Sequence, residues 1–184
     1  MSILKVNTIQ DKGGNNLLVS DGAGTISSGG LMTNTPAFHA YLSSNYSISN
    51  ATDTIVPCDS VIYNTGDYNT STYQFKPSVL GKYYLYGQIH IIGDLGGTGD
   101  SLLGFMYKHD DSAGTNIEIQ SVVQGDYSSS DTKGSIYVIV AVDHTDVNDY
   151  YYISGMIRAG AGRSFGGNVN GALCTFGGYR IIGV

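Results

Sequence analysis

Helices that face water need glutamate, lysine and arginine, and this chain nearly lacks them. Its 15 acidic residues include a single glutamate, Glu118, and it has only 9 lysines and arginines. Without those long charged side chains there is nothing to build a solvated helix face, so a helical bundle or coiled coil is excluded. What the chain has instead is 26 glycines and 15 tyrosines, with valine, isoleucine and threonine throughout. That mixture favours strands joined by tight turns. Hydrophobic residues at 41% are too many for a disordered chain. At 184 residues the chain is long enough for one domain of ordinary size plus a short appendage.

The net charge is −6, and the basic residues are scattered singly along the chain. No basic stripe exists to neutralise phosphates, so neither nucleic acid nor an anionic membrane surface is an expected partner. No apolar run approaches the length of a membrane span, and the start, MSILKVNTIQDKGGNN, does not read as a secretory signal. Cys58 and Cys174 lie far apart, and the preferred reading is two buried thiols acting as small hydrophobes. Three sequons, at Asn45, Asn50 and Asn69, read as turn chemistry.

Residues 1–21 read as a hairpin: a strand over 3–9, a turn at DKGGN (11–15), and a second strand at NLLVS (16–20). A lone hairpin is marginal in water and needs a partner. Residues 22–35 form a Gly/Ser/Thr-rich linker. From 36 to 184 the expectation is a series of strands near 36–43, 54–63, 72–77, 81–92, 101–109, 116–124, 133–142, 149–157 and 171–183. Regular short strands separated by turn signals argue for a two-sheet sandwich or barrel.

Several of these strands are apolar on both faces. In KGSIYVIVAV (133–142), Ile136, Val138, Val140 and Val142 alternate with Tyr137, Ile139 and Ala141. In 81–92 one face carries Tyr83, Leu85, Ile89 and Ile91 and the other Tyr84 and Tyr86, while YYYIS (150–154) is apolar throughout. A sandwich strand needs only one dry face. With no helix to cover the second, another copy of the chain is the expected cover. Tyr84, Tyr86, Val138, Val140 and Tyr151 are the expected interface residues.

PAFHAYL (36–42) and the run from Ile55 to Ile91 resemble the jelly-roll head of the complement C1q and tumour necrosis factor superfamily. The positions that carry the resemblance are Asn64, Tyr68, Phe75, Gly81 and Tyr83, then DVNDYYYIS (146–154), then Phe176 and Gly178 in TFGGYRIIGV (175–184). Cys58 stands where that family usually has phenylalanine, the gap from Asn64 to Tyr68 is one residue short, and Leu85 and Gly87 replace aromatics. The resemblance covers 36–184 and implies an all-β antiparallel jelly roll assembled as a homotrimer. The N-terminal stretch SILKVNTIQDKGGNNLLVSDGAGTIS is similar to the opening segment of structural proteins of tailed bacteriophages. That implies an attachment or trimerisation segment at 1–21, contacts with other virion proteins, and a place in the virion.

No catalytic constellation is legible. His39, His90, His109 and His144 are dispersed, and there is no Gly-x-Ser-x-Gly elbow. GDLGGTGDS (93–101) lacks the lysine and the following helix of a phosphate loop. Asp110 and Asp111 are adjacent, so their side chains diverge along a strand end. In DHTDVND (143–149), Asp143, Asp146 and Asp149 offer oxygens to calcium, although a solvated turn is the preferred reading. No cofactor is expected. The loops NYSISN (45–50), YNTGDYNTSTY (63–73) and DYSSSD (126–131) combine tyrosine with small polar residues, as binding loops do. Tyr46, Tyr68 and Tyr127 are the ligand-binding candidates, with a host-surface glycan or protein as ligand. The expected function is a non-enzymatic phage fibre or appendage; the alternatives are a capsid decoration protein without receptor binding and a secreted C1q-like lectin.

Overall fold

Alternation along a strand sorts side chains into two faces, and sheet packing decides which of them becomes the core. In the computed structural model the described residues are 7–20, 22–23, 26–28, 34–93, 101–125, 133–158, 163–168 and 173–182. They are all-β, in antiparallel sheets, with no helix among them. The chain divides into two compact units between Asn34 and Thr35.

The first unit is a three-stranded sheet of β1 (Thr8–Gln10), β2 (Asn16–Ser20) and β3 (Ile26–Ser28). The expected hairpin pairs Ile9 with Leu18, and its residues before 7 lie outside the described set. Part of the segment read as a linker instead forms β3, with Leu18 opposite Ser28 and Ser20 opposite Ile26. No side chain described in β1 or β2 is buried.

The second unit is a two-sheet jelly roll. Its strands are β4 (Ala37–Tyr41), β5 (Tyr46–Ile48), β6 (Thr54–Ile55), β7 (Ser60–Asn64), β8 (Tyr68–Asn69), β9 (Gln74–Phe75), β10 (Gly81–Ile92), β11 (Ser101–Asp110), β12 (Thr115–Gly125), β13 (Lys133–His144), β14 (Tyr150–Arg158), β15 (Arg163–Phe165) and β16 (Thr175–Arg180). A seven-stranded sheet runs β5-β15-β10-β16-β4-β7, with β13 on the other side of β10. A six-stranded sheet runs β12-β11-β14-β9-β8, with β6 also on β14. The long strands β10 to β14 fall within two residues of their expected limits. The expected strand at 54–63 is interrupted and becomes β6 and β7, which pair in different sheets. The short strands β5, β8 and β15 carry too few residues to show a period.

The core lies between the sheets. Phe38 and Phe176 from one sheet meet Tyr68 and Phe75 from the other, with ring centroids 4.4 to 4.9 Å from Phe38. Leu85, Ile89 and Ile91 of β10 and Leu102 and Met106 of β11 are fully buried around them. Gly104 sits where a Cβ would come within 2.4 Å of the Ile136 Cδ1, so a larger residue would force the buried Ile136 side chain to shift. Cys58 and Cys174 are free, buried thiols. Burial pushes the Cys174 thiol up to about 12 and raises Cys58 as well, so neither is reactive at neutral pH.

A polar cluster closes one end of the core. The His144 Nε2–H donates to the Pro77 carbonyl at 2.9 Å, so its Nδ1 accepts from the Tyr151 hydroxyl at 3.2 Å. This is a neutral imidazole satisfied on both sides. Asp149, 2% exposed, holds the Lys108 ammonium at 2.7 Å and accepts the Asp111 N–H at 3.1 Å. Burial raises the Asp149 carboxyl, but Lys108 and the backbone N–H outweigh it and keep it below 3.8.

Two predictions follow from this architecture. Burial lowers the pKa values of His39, His90 and His144 below 6.5. The unfolded chain therefore binds more protons than the folded one once the pH drops below about 6.5, and stability must decrease as pH falls through that region. The thermal midpoint of the chain is expected to be flat from pH 8 to 7 and to fall between pH 6.5 and 5, mostly above the range in which carboxylates protonate. Second, a chain beginning at Thr35 contains every core residue found buried among the described residues. It is expected to unfold at the same midpoint as the full chain when both are followed by near-ultraviolet circular dichroism.

Candidate functional site

The two faces of β13 now have separate fates. Val138 is fully buried, and Val140 packs against the core from a half-buried position. Tyr137 and Ile139, which alternate with them, are 58% and 45% exposed. Val138 and Val140 were expected at a subunit interface and instead face the interior of their own sandwich. Tyr151 is likewise fully buried, held by its hydrogen bond to His144. The physical reason is register: both faces of β13 are apolar, and the pairing of Leu85 with Val140 puts the even-numbered residues on the core side of β10.

Tyr84 and Tyr86 lie on the opposite, outer face. Cross-strand pairing lines up Ile139, Tyr86, Gly177, His39 and Tyr63 in one row across β13, β10, β16, β4 and β7. A second row carries Ala141, Tyr84 and Tyr179, and a third Tyr137, Gln88 and Thr175. The Tyr86 ring lies down over Gly177, where a Cβ would sit 2.3 Å from the ring. From there its hydroxyl reaches His39 Nδ1 at 2.9 Å. Burial pushes the Tyr86 phenol above its ordinary value, and its hydrogen bond to Tyr63 adds to the shift. Tyr84 stacks obliquely on Tyr179 with centroids 5.5 Å apart. Between these rings and Tyr137, Ile139, Gln88 and Thr175 is a concavity of about 450 Å³. The result is an amphipathic, aromatic sheet face with no covering layer among the described residues of its unit.

The other candidates fare differently. Tyr68 is 6% exposed, stacked on Phe38, and donates its hydroxyl to the Cys58 carbonyl at 2.8 Å. It is a core residue, because a ring 30 residues upstream fits against it. Tyr46 remains 46% exposed on β5, and Tyr127 lies outside the described residues. Asp143, Asp146 and Asp149 do not converge: Asp149 is occupied by Lys108, Asp146 accepts the Asn148 N–H at 2.8 Å, and Asp143 is exposed. Among the described residues no cluster of three His, Cys, Asp or Glu side chains could hold a metal. The Lys108 ammonium would also repel a cation there. Ser135 Oγ lies 2.6 Å from His90 Nδ1, but the charge acting on His90 is the cation Lys133. A general-base histidine needs the opposite, a carboxylate that stabilises its imidazolium.

Gly177 tests how the face is built. Gly177→Val is expected to lift Tyr86 off the sheet and break its bond to His39. The check is loss of the depressed His39 titration by NMR.

Comparison with known proteins bears on the fold. No family model matches the chain, and no curated protein does. Among solved structures, murine APRIL at pH 8.0 superimposes with a TM-score of 0.56 at 15% identity, over 79% of this chain and 98% of that one. Murine APRIL at pH 5.0 gives the same TM-score and coverage at 17% identity. The chain thus shares the tumour necrosis factor-like antiparallel jelly roll, which is the fold its sequence resembles.

Proposed function

We propose that this chain is a non-enzymatic structural and binding protein of a phage virion, a fibre or appendage whose jelly-roll head works as a homotrimer. The observation that carries the self-association is the outer face of the seven-stranded sheet, where Tyr137 and Ile139 stand exposed beside Tyr84 and Tyr86. Apolar and aromatic surface of this kind on a five-strand span gains roughly 25 cal/mol for each Å² removed from water. Tyrosine suits an assembly face, since its ring buries area while its hydroxyl keeps a partner. A closed cyclic assembly would repeat this contact in every copy. The N-terminal segment 1–21, with its phage-like sequence and no buried side chain described, is the part assigned to contacts with other virion proteins. The head is assigned to a host-surface glycan or protein, with Tyr46 and Tyr127 retained as candidate contacts.

Light scattering on the intact chain is expected to return three times the chain mass, and a monomer mass would overturn the assembly. Tyr137→Asp and Ile139→Asp are expected to give folded monomers with unchanged near-ultraviolet spectra. Val138→Asp is expected to unfold the head instead, since an unpaired charge inside the core costs about 4 kcal/mol or more. Electron microscopy of virions carrying gold-labelled antibody to the head tests the location, and unlabelled virions would refute it.

A further inference from the structure

A second and larger concavity of the jelly roll lies elsewhere, in the loops around β8 and β9. It has a volume of about 740 Å³ and is lined by Asp67, Asn69, Thr70, Lys76, Ser78 and Val147, with Tyr68 as part of its wall. It opens broadly to solvent, and its volume falls within the roughly 300–1,000 Å³ of small-ligand sites. The loop is held in one shape by its own bonds. Asp67 Oδ2 accepts the Ser78 N–H at 2.7 Å and the Ser78 hydroxyl at 2.8 Å, and the Asp67 carbonyl accepts the Lys76 N–H at 2.8 Å. Asn69 Oδ1 accepts the N–H groups of Ser71 and Thr72, at 2.8 and 3.2 Å. Asp67 and Tyr73 are non-glycine residues with φ of 72° and 61°, left-handed conformations that this network maintains.

What these bonds leave open is the informative part. The Lys76 ammonium has no ion pair among the described residues, where the only salt bridge is Lys108 to Asp149. Asp67 and Lys76 thus line one concavity without pairing with each other. Asp67 keeps its Oδ1 as an acceptor, Asn69 its side-chain amide and Lys76 its ammonium as donors, and the Thr70 hydroxyl serves as either. Val147, 43% exposed, adds an apolar patch at the rim.

We propose that this concavity binds a neutral, hexose-sized saccharide. Vicinal hydroxyls donate and accept at once, and so match an acceptor and donors set side by side. The C–H surface of a pyranose suits Val147. The carboxylate and the ammonium cancel, which favours an uncharged ligand over an anionic sugar that would face Asp67. The site deepens the reading of the head as a host-binding module and rests on that reading only for its biological role.

The test uses the full chain on a printed panel of neutral hexose-terminated and sialylated oligosaccharides, followed by titration of the positives in solution. Binding to neutral members is expected, weakened about tenfold by Lys76→Gln, the loss of a charged hydrogen bond, and also weakened by Thr70→Val. Lys76 is exposed and Thr70 half-buried, neither belongs to the core, and the thermal midpoints should match the parent chain. No binding to neutral glycans, preference for the sialylated ones, or indifference to both substitutions would overturn the proposal. Binding to host envelopes separates it from the broader reading. If the parent chain binds envelopes and both variants bind equally, this concavity is not the site and the binding head stands; if no form binds them, the binding head falls.

Discussion

The structure depends on a single inter-sheet contact, the ring of Phe38 among Tyr68, Phe75 and Phe176. Burying aromatic rings is worth about 1.5–3 kcal/mol each, and packing them against one another adds to that. The contact also fixes direction. Phe38 on β4 and Phe176 on β16 turn one face of their sheet inward, which commits His39 and Gly177 to the outer face. Tyr68 and Phe75 lie on either side of the turn that holds Thr70, so the same contact anchors the loop around the larger concavity. Tyr68 tolerates full burial because its hydroxyl has the Cys58 carbonyl as partner.

The outer face then follows from small residues as much as from large ones. Tyr86 lies flat because Gly177 leaves room, and it can reach His39 because Gly177 separates the two strands at that row. A face built this way combines a smooth apolar surface with satisfied polar tips. At the edge of β13 the Ile139 N–H donates to the Gln120 side chain from β12. That satisfies one of the donors along this edge.

The polar end of the core has a different character. His144, Tyr151, Asp149 and Lys108 satisfy one another at the cost of pH sensitivity, since a neutral imidazole and an ionised carboxylate must both persist. The acidic run at 143–149 therefore contributes an internal ion pair, through Asp149, and not a set of cation ligands.

By itself the sequence determined the all-β class, the limits of the long strands and the presence of two apolar faces on β10 and β13, because period-two alternation and turn residues are local properties. It also carried the resemblance to the jelly roll. Only the tertiary structure decided which face became the core. Val138 and Ile139 are both apolar, and their neighbours in sequence cannot distinguish them; the pairing of β13 with β10 does. Tyr68 sits in a loop-like stretch of asparagine, threonine and glycine, and its burial depends on Phe38, a contact no local pattern reports. Asp149 looked like its neighbours Asp143 and Asp146 until the fold brought Lys108 beside it. The larger concavity joins residues 67–78 to Val147, so its donors and acceptors exist as a site only after the chain has folded, when contacts distant in sequence become adjacent in space.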